Sequence, residues 1–332
     1  MRALIGCAGC VGCGLLAVAL LPAAAQPPAP SVVSRLLWFD RDGQRLAGLG
    51  PVADHGNLEL SPDGTRVAVA VRDPRVGTFD IWLYDVETGA RSRFTSDVAD
   101  ENWLIWSPDG DRVLLNSFSA SGLFLFEAPA TGIRTRSPLV DAPDGAWPVS
   151  WSRDGRFVLY VTNTPCTDDD SPCTGNDIWV LPREAGARPY PFLQTEASEN
   201  WAAFSPDGRW IVFSATDSGR TEVYASRFPS DGRRWQLSAG GGSQARWRAD
   251  GTEVFYLASD GMLVAVGVST TGDELRVTRH DPLFQLSTPY GAYHAFDVAA
   301  GGERFLVNTL LTDPGLSGTA VRRASPGLNS FW

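Results

Sequence analysis

The sequence predicts an all-β protein: a six-bladed β-propeller of four-stranded antiparallel blades, closed by pairing an N-terminal hairpin with C-terminal strands. Three observations predict it. A tight-turn phrase recurs along the chain at nearly even spacing. Each copy stands between two apolar segments of strand length. The two ends of the repeat region carry complementary halves of one unit.

The phrase is Ser61-Pro62-Asp63-Gly64, repeated as Ser107-Pro108-Asp109-Gly110 and Ser205-Pro206-Asp207-Gly208. Ser152-Arg153-Asp154-Gly155, Arg248-Ala249-Asp250-Gly251 and Ala299-Ala300-Gly301-Gly302 are degenerate copies. The intervals are 46, 45, 53, 43 and 51 residues, the length of a four-stranded blade. Asp-Gly marks a tight turn because glycine accepts positive φ at no steric cost. An aromatic or apolar first strand precedes the turn, as in Trp103-Leu104-Ile105-Trp106 and Trp201-Ala202-Ala203-Phe204. A second strand follows it, as in Val67-Ala68-Val69-Ala70-Val71 and Trp210-Ile211-Val212-Phe213. The third carries another repeated phrase, Asp80-Ile81-Trp82 and Asp177-Ile178-Trp179. A Thr-Gly turn, Thr88-Gly89 or Thr131-Gly132, leads to a polar fourth strand such as Arg91-Ser92-Arg93-Phe94. Apolar runs suit sheets packed face to face, and the polar fourth strand suits the outer rim.

Residues 36–49 read as a third and fourth strand with no first and second before them. Residues 293–311 supply a first and second strand. Joined, they complete the sixth blade and remove the free sheet edges. Residues 34–311 are therefore expected to form one domain. Two intervals run long. One holds Cys166 and Cys173, read as a surface insertion between second and third strands. The other contains residues 278–292, read as a longer crossing into the last blade.

The flanks differ in composition. Residues 1–25 read as a secretory signal: Arg2, an apolar stretch, and Ala23-Ala24-Ala25 before Gln26. A retained membrane anchor is the rival reading. Residues 26–33 are a linker, and 312–332 a Gly-, Pro- and Ser-rich tail without alternation. Export makes a Cys166–Cys173 disulfide the expected state of that pair, with a free or metal-bound pair as the alternative. The formal charge is −10, and all 28 basic residues are arginine. No basic stripe is present, which argues against nucleic-acid partners and anionic membranes.

The Trp-Ser-Pro-Asp-Gly phrase at 106–110, Phe-Ser-Pro-Asp-Gly at 204–208 and Asp-Ile-Trp at 80–82 and 177–179 resemble the TolB-type, WD40-like propeller repeats of bacterial exported proteins. Residues 240–256 look especially like the extracytoplasmic propellers fused to bacterial serine/threonine kinases. The resemblance implies a fold, and a function only by analogy: periplasmic docking, sensing, or an accessory role to peptidases. The chain contains no lysine, and no kinase motif, so the kinase itself is not implied.

Chemistry is sparse in the sequence. No Gly-x-Ser-x-Gly elbow occurs, and the three histidines, His55, His280 and His294, lie in separate segments. The carboxylates of the repeated turn phrases sit in Asp-Gly turns, where they cap backbone. One constellation stands out. The segments four to six residues before each turn enter the innermost strands, and in a propeller these meet at one mouth of the central channel. They are His55-Gly56-Asn57, Glu101-Asn102-Trp103, Ala146-Trp147-Pro148, Glu199-Asn200-Trp201, Gly242-Ser243-Gln244 and Tyr293-His294-Ala295. An architectural reading has each Trp packing between blades and each Asn or Glu bonding backbone. The functional reading is a ligand site built from His55, Glu101, Asn102, Trp147, Glu199, Asn200, Gln244 and His294, with Glu101 and Glu199 facing one another. No cofactor is expected, though these groups allow a divalent cation in the channel. The expected protein is an exported, monomeric, noncatalytic module, periplasmic or secreted, binding a protein or small ligand. It has no nucleic-acid partner and no membrane span after signal cleavage. A stand-alone sensor working with a kinase or regulator is one alternative. A metal-dependent propeller lyase or hydrolase is the other.

Overall fold

The computed structural model describes residues 33–96, 98–119, 122–133, 137–140, 145–164, 175–289 and 294–311. The expected signal segment 1–25, the pair Cys166 and Cys173, and the tail 312–332 lie outside the described residues. The chain starts with a hairpin, β1 (Ser34–Asp40) and β2 (Arg45–Ala53). Blade 1 is β3 (His55–Leu60), β4 (Arg66–Arg72), β5 (Phe79–Asp85) and β6 (Arg91–Arg93). Blade 2 is β7 (Leu104–Trp106), β8 (Arg112–Ser119), β9 (Gly122–Pro129) and β10 (Ser137–Val140). Blade 3 is β11 (Trp147–Trp151), β12 (Phe157–Thr164), β13 (Gly175–Pro182) and β14 (Tyr190–Leu193). Blade 4 is β15 (Glu199–Phe204), β16 (Trp210–Ala215), β17 (Glu222–Arg227) and β18 (Arg234–Gln236). Blade 5 is β19 (Gly242–Trp247), β20 (Glu253–Ala258), β21 (Met262–Thr271) and β22 (Glu274–Gln285). The chain then adds β23 (Phe296–Val298) and β24 (Arg304–Leu310).

The sixth sheet has the order β2-β1-β24-β23, so the N-terminal hairpin supplies its two outer strands. β1 pairs with β24 without interruption, from Ser34↔Leu310 to Asp40↔Arg304. The first strands β3, β7, β11, β15, β19 and β23 touch one another in turn and close a ring around the axis.

Burial explains the sequence pattern. Val67-Ala68-Val69-Ala70-Val71 of β4 is apolar at every position because both faces of the strand are covered. Val67, Val69 and Val71 pack with Leu36, Trp38 and Leu306 of blade 6. Ala68 and Ala70 pack with Leu104, Trp106, Val113 and Leu115 of blade 2. β4 thus feeds two interfaces with period two. The turn phrase works as local chemistry. Ser61 Oγ donates to Asp63 Oδ1 at 2.6 Å and accepts from Arg66 N at 3.0 Å, while Gly64 takes φ +70°.

The long interval before the last blade differs from its expected form. Much of residues 278–292 is not a crossing but the end of β22, which pairs along nearly the whole of β21. Its side chains are mostly polar and exposed, with Leu275 turned inward, so the strand needs cover on one side only.

Candidate binding site in the central channel

The innermost strands are not regular. β3, β11, β15 and β19 each shift register near their entry, between His55 and Leu58, Pro148 and Ser150, Asn200 and Ala203, and Ser243 and Arg246. Bulges of this kind re-aim side chains. At two of them a side-chain-bearing residue takes the left-handed region, Trp201 at φ 50° and Gln244 at φ 58°. Among the described residues, no other non-glycine does so. A bulky residue there is strained, and such strain gathers at functional sites.

Blades 2 to 4 give the mouth an aromatic side. Trp103, Trp147 and Trp201 line one pocket with Asn176 and Asn200. Asn176 Nδ2 donates to Asn200 Oδ1 at 2.8 Å, and Asn200 Nδ2 donates to Ser198 Oγ at 3.0 Å.

Blades 5, 6 and 1 give it a polar and charged side. Ala295 N donates to Gln244 Oε1 at 2.9 Å and His294 N to Asn57 Oδ1 at 2.9 Å, while Asn57 Nδ2 donates to the Asn102 carbonyl at 2.7 Å. This chain of bonds runs from blade 5 through blades 6 and 1 to blade 2. Deeper in, Arg246 Nη2 donates to His294 Nδ1 at 2.6 Å. Its guanidinium also lies 3.7 Å from Asp297 Oδ1 and 4.0 Å from Glu59 Oε2. The His294 ring meets Trp103 edge-on at 4.8 Å, which joins the charged side to the aromatic one.

Electrostatics follow from enclosure. Burial, and then the Arg246 charge, hold the His294 imidazole well below its ordinary value, so it is neutral and accepts at Nδ1. Burial pushes the Glu59 carboxyl up to about 8, against the pull of Arg246. Burial likewise raises Asp297, again opposed by Arg246. Burial and the neighbouring Arg246 charge thus set the protonation of Glu59, His294 and Asp297 together.

The predicted residues separate into two groups. Asn102, Trp147, Asn200, Gln244 and His294 belong to the mouth just described. His55, Glu101 and Glu199 sit elsewhere. His55 is buried between blades, with Nδ1 3.1 Å from Ser34 Oγ and its ring edge-on to Tyr84. Burial, and then Arg91, lower it to about 4. Glu101 is buried at the junction of blades 1 and 2, where its N–H donates to the Phe79 carbonyl of blade 1 at 2.9 Å and its carboxylate accepts from Ser117 Oγ at 3.2 Å. Glu199 accepts from Thr195 Oγ1, and burial pushes its carboxyl up to about 7. The structure does not bring these two carboxylates together. Among the described residues, no group of three His, Cys, Asp or Glu side chains is placed to hold a metal ion.

Glu59, Arg246 and Asp297 escaped the sequence reading. All three stand two residues before the turn of their blades, where the other blades carry Ile105, Ser150 and Ala203. The position has a shared use: Asp297 Oδ2 accepts from Leu60 N at 2.8 Å and Ser150 Oγ from Phe204 N at 3.1 Å, each clamping the next blade. Acidic and basic residues at one position of an otherwise apolar strand are the signal that would have found them.

No family model matches the chain. A TolB candidate from Agrobacterium tumefaciens superimposes with a TM-score of 0.64 at 16% identity, covering 85% of this chain and 100% of that one. A puromycin-hydrolyzing peptidase from Mycobacterium tuberculosis gives a TM-score of 0.53 at 13% identity, covering 77% of this chain and 44% of the peptidase. In sequence, the chain is 25% identical to the uncharacterized peptidase YuxL of Bacillus subtilis over 189 residues, 47% of this chain. It spans only 29% of that relative's length. The molecule therefore has the fold of TolB-type propellers, with a mouth that is aromatic on one side and charged on the other.

These relatives correct one expectation. The chain was expected not to be an enzyme, yet the curated relative is a peptidase and a solved peptidase shares the propeller fold. A propeller assembles its channel from six distant strands, so a titratable set such as Glu59, Arg246, His294 and Asp297 leaves no contiguous motif. Among the described residues, no helix is long and apolar enough to cross a membrane.

Proposed function

We propose that the protein is an exported propeller that binds an extended peptide segment at its channel mouth, in the service of peptide or protein processing. The strained bulges carry this reading, because Trp201 and Gln244 hold left-handed backbone at the point where their strands enter the channel. Strain of about 1–3 kcal/mol per residue persists only where the surroundings enforce it. The three indoles offer apolar area to side chains of a peptide, and the Arg246 cluster answers its charges and carbonyls. The likeness to peptidases supports a peptide as the ligand, and the signal-like N-terminus supports action outside the cytoplasm. Asn102, Trp147, Asn200, Gln244 and His294 of the predicted set, with Trp103, Trp201 and Arg246, make up the site.

Fluorescence titration of the whole protein against unstructured peptides tests this. Trp201→Ala is expected to weaken binding about tenfold, a loss of about 1.4 kcal/mol, with the circular dichroism spectrum unchanged. Trp82→Phe, on a third strand away from the mouth, is expected to bind like the parent. Equal binding by Trp201→Ala and the parent would remove the mouth as the site.

A further inference from the structure

A cavity of about 350 Å³ opens between blades 4 and 5 at the turn end of the innermost strands, opposite the mouth described above. Its walls include the turns of both blades, the indoles of Trp210 and Trp247, Thr270 of β21, and Arg153 from the blade 3 turn.

The repeat shows why the cavity lies here. Five residues after the start of its turn, blade 1 has Arg66. The Arg66 guanidinium lies 4.7 Å over the Trp106 ring and donates to the Gly110 carbonyl at 3.2 Å, bridging the turns of blades 1 and 2. Blade 4 has Trp210 at the same position, beside Trp247. Trp247 Nε1 donates to the Ala203 carbonyl at 3.3 Å. Trp210 is 1% exposed, and its Nε1 is buried with no hydrogen-bond partner. A native structure leaves few such donors without a reason. Two further groups are uncommitted. Arg153 stands where three other turns carry proline, and it forms no ion pair among the described residues. Asp207 uses Oδ1 to hold its turn, accepting from Ser205 Oγ at 2.6 Å and Arg209 N at 3.0 Å, which leaves Oδ2.

We propose that this cavity binds one saccharide unit. Its volume matches the lower end of small-ligand sites, about 300 Å³. The available groups are a guanidinium and an indole N–H that only donate, a carboxylate oxygen that only accepts, and the Thr270 hydroxyl that does both. Adjacent sugar hydroxyls donate and accept, so they satisfy all of these at once. An anion would meet Arg153 but oppose Asp207 and Asp250, and a cation would do the reverse. The Trp247 ring supplies the apolar surface that the C–H face of a sugar takes.

Calorimetry on the full chain tests the proposal with glucose, N-acetylglucosamine and maltose, and with glycine and glutamate as zwitterionic comparisons. At least one saccharide is expected to bind and neither amino acid. Trp210→Phe, which keeps an aromatic side chain but deletes the N–H, and Arg153→Ala are each expected to weaken saccharide binding about tenfold. Arg153 is exposed, so its variant decides the matter even if Trp210→Phe disturbs the fold. No saccharide binding to the parent, binding of amino acids instead, or an Arg153→Ala variant that binds like the parent would overturn it.

Discussion

At the scale of the residue, the strained and the buried titratable positions make opposite demands on stability. Gln244→Gly relieves a left-handed side chain, worth about 1–2 kcal/mol, but removes the acceptor of the buried Ala295 N–H, which costs about 1–3 kcal/mol. The net loss expected in urea unfolding is about 1 kcal/mol, and a loss of about 3 kcal/mol, the full cost of the lost acceptor, would show that no strain is relieved there. The titratable groups give a pH profile. His55 has its folded value lowered to about 4 from 6.5, so its neutral form contributes fully above 6.5 and its contribution fades as pH falls from 6.5 to 4. Glu253 follows in stronger acid. Burial alone would raise its carboxyl, but hydrogen bonds from Arg41, Arg279 and Arg248 hold it at about 2. Its contribution is therefore complete above 4.5 and lost as pH falls toward 2. Glu199, raised to about 7, works the other way and loses its contribution as pH rises through 7. His55→Asn is expected to flatten the decline in unfolding free energy between pH 6.5 and 4. An unchanged slope in that variant would exclude His55 as its source.

At the scale of the element, the turn phrase is where sequence and structure correspond most closely. Ser61, Ser107, Ser152 and Ser205 each use Oγ to accept a backbone N–H five residues on, so the phrase can be read directly as a hydrogen-bonded turn. Ser205→Ala leaves the buried Trp210 N–H without that acceptor, and a destabilisation of about 1–3 kcal/mol in chemical denaturation is expected. A neutral result would mean that the turn is held by its glycine and aspartate alone. The mouth was legible to the same extent as its neighbouring phrases. Asn102, Trp147, Asn200, Gln244 and His294 could be found because every blade enters its first strand at a fixed offset from the turn. The bulges could not, because a register shift of one residue depends on the partner strand and leaves no composition signal. Glu101 and Glu199 sit at the same offset as His55, and like it they are buried against the preceding blade and not in the mouth, with Ser117 and Thr195 as their partners. Glu59, Arg246 and Asp297 were hidden for a further reason. The residue at their position varies from blade to blade, so repetition could not point to it.

At the scale of the whole molecule, stability rests on a ring that no single blade closes. β1 contributes seven paired residues to β24, and Leu36 and Trp38 join Leu306 in the cluster that packs blade 6 on blade 1. Asp297 adds its bond to Leu60 N across the same junction, and Asn308 Nδ2 donates to the His55 carbonyl at 2.9 Å. On the other side of blade 6, Arg41 in the hairpin reaches Glu253 of blade 5 at 2.6 Å. The hairpin therefore touches both neighbours of its own blade. Deleting residues 26–53 would strip β24 of its outer partner, expose the apolar faces of Val67, Val69 and Val71, and leave Glu253 with one guanidinium fewer. An exposed, unpaired strand of this kind pairs with other chains. The truncated protein is expected to elute as aggregate in size-exclusion chromatography and to lose its cooperative thermal transition. Supplying residues 26–53 as a separate peptide should restore a monomer-sized peak, because the lost contacts are confined to that segment. A truncated chain that stays monomeric with the parent's melting temperature would show that five complete blades hold the ring without the hairpin.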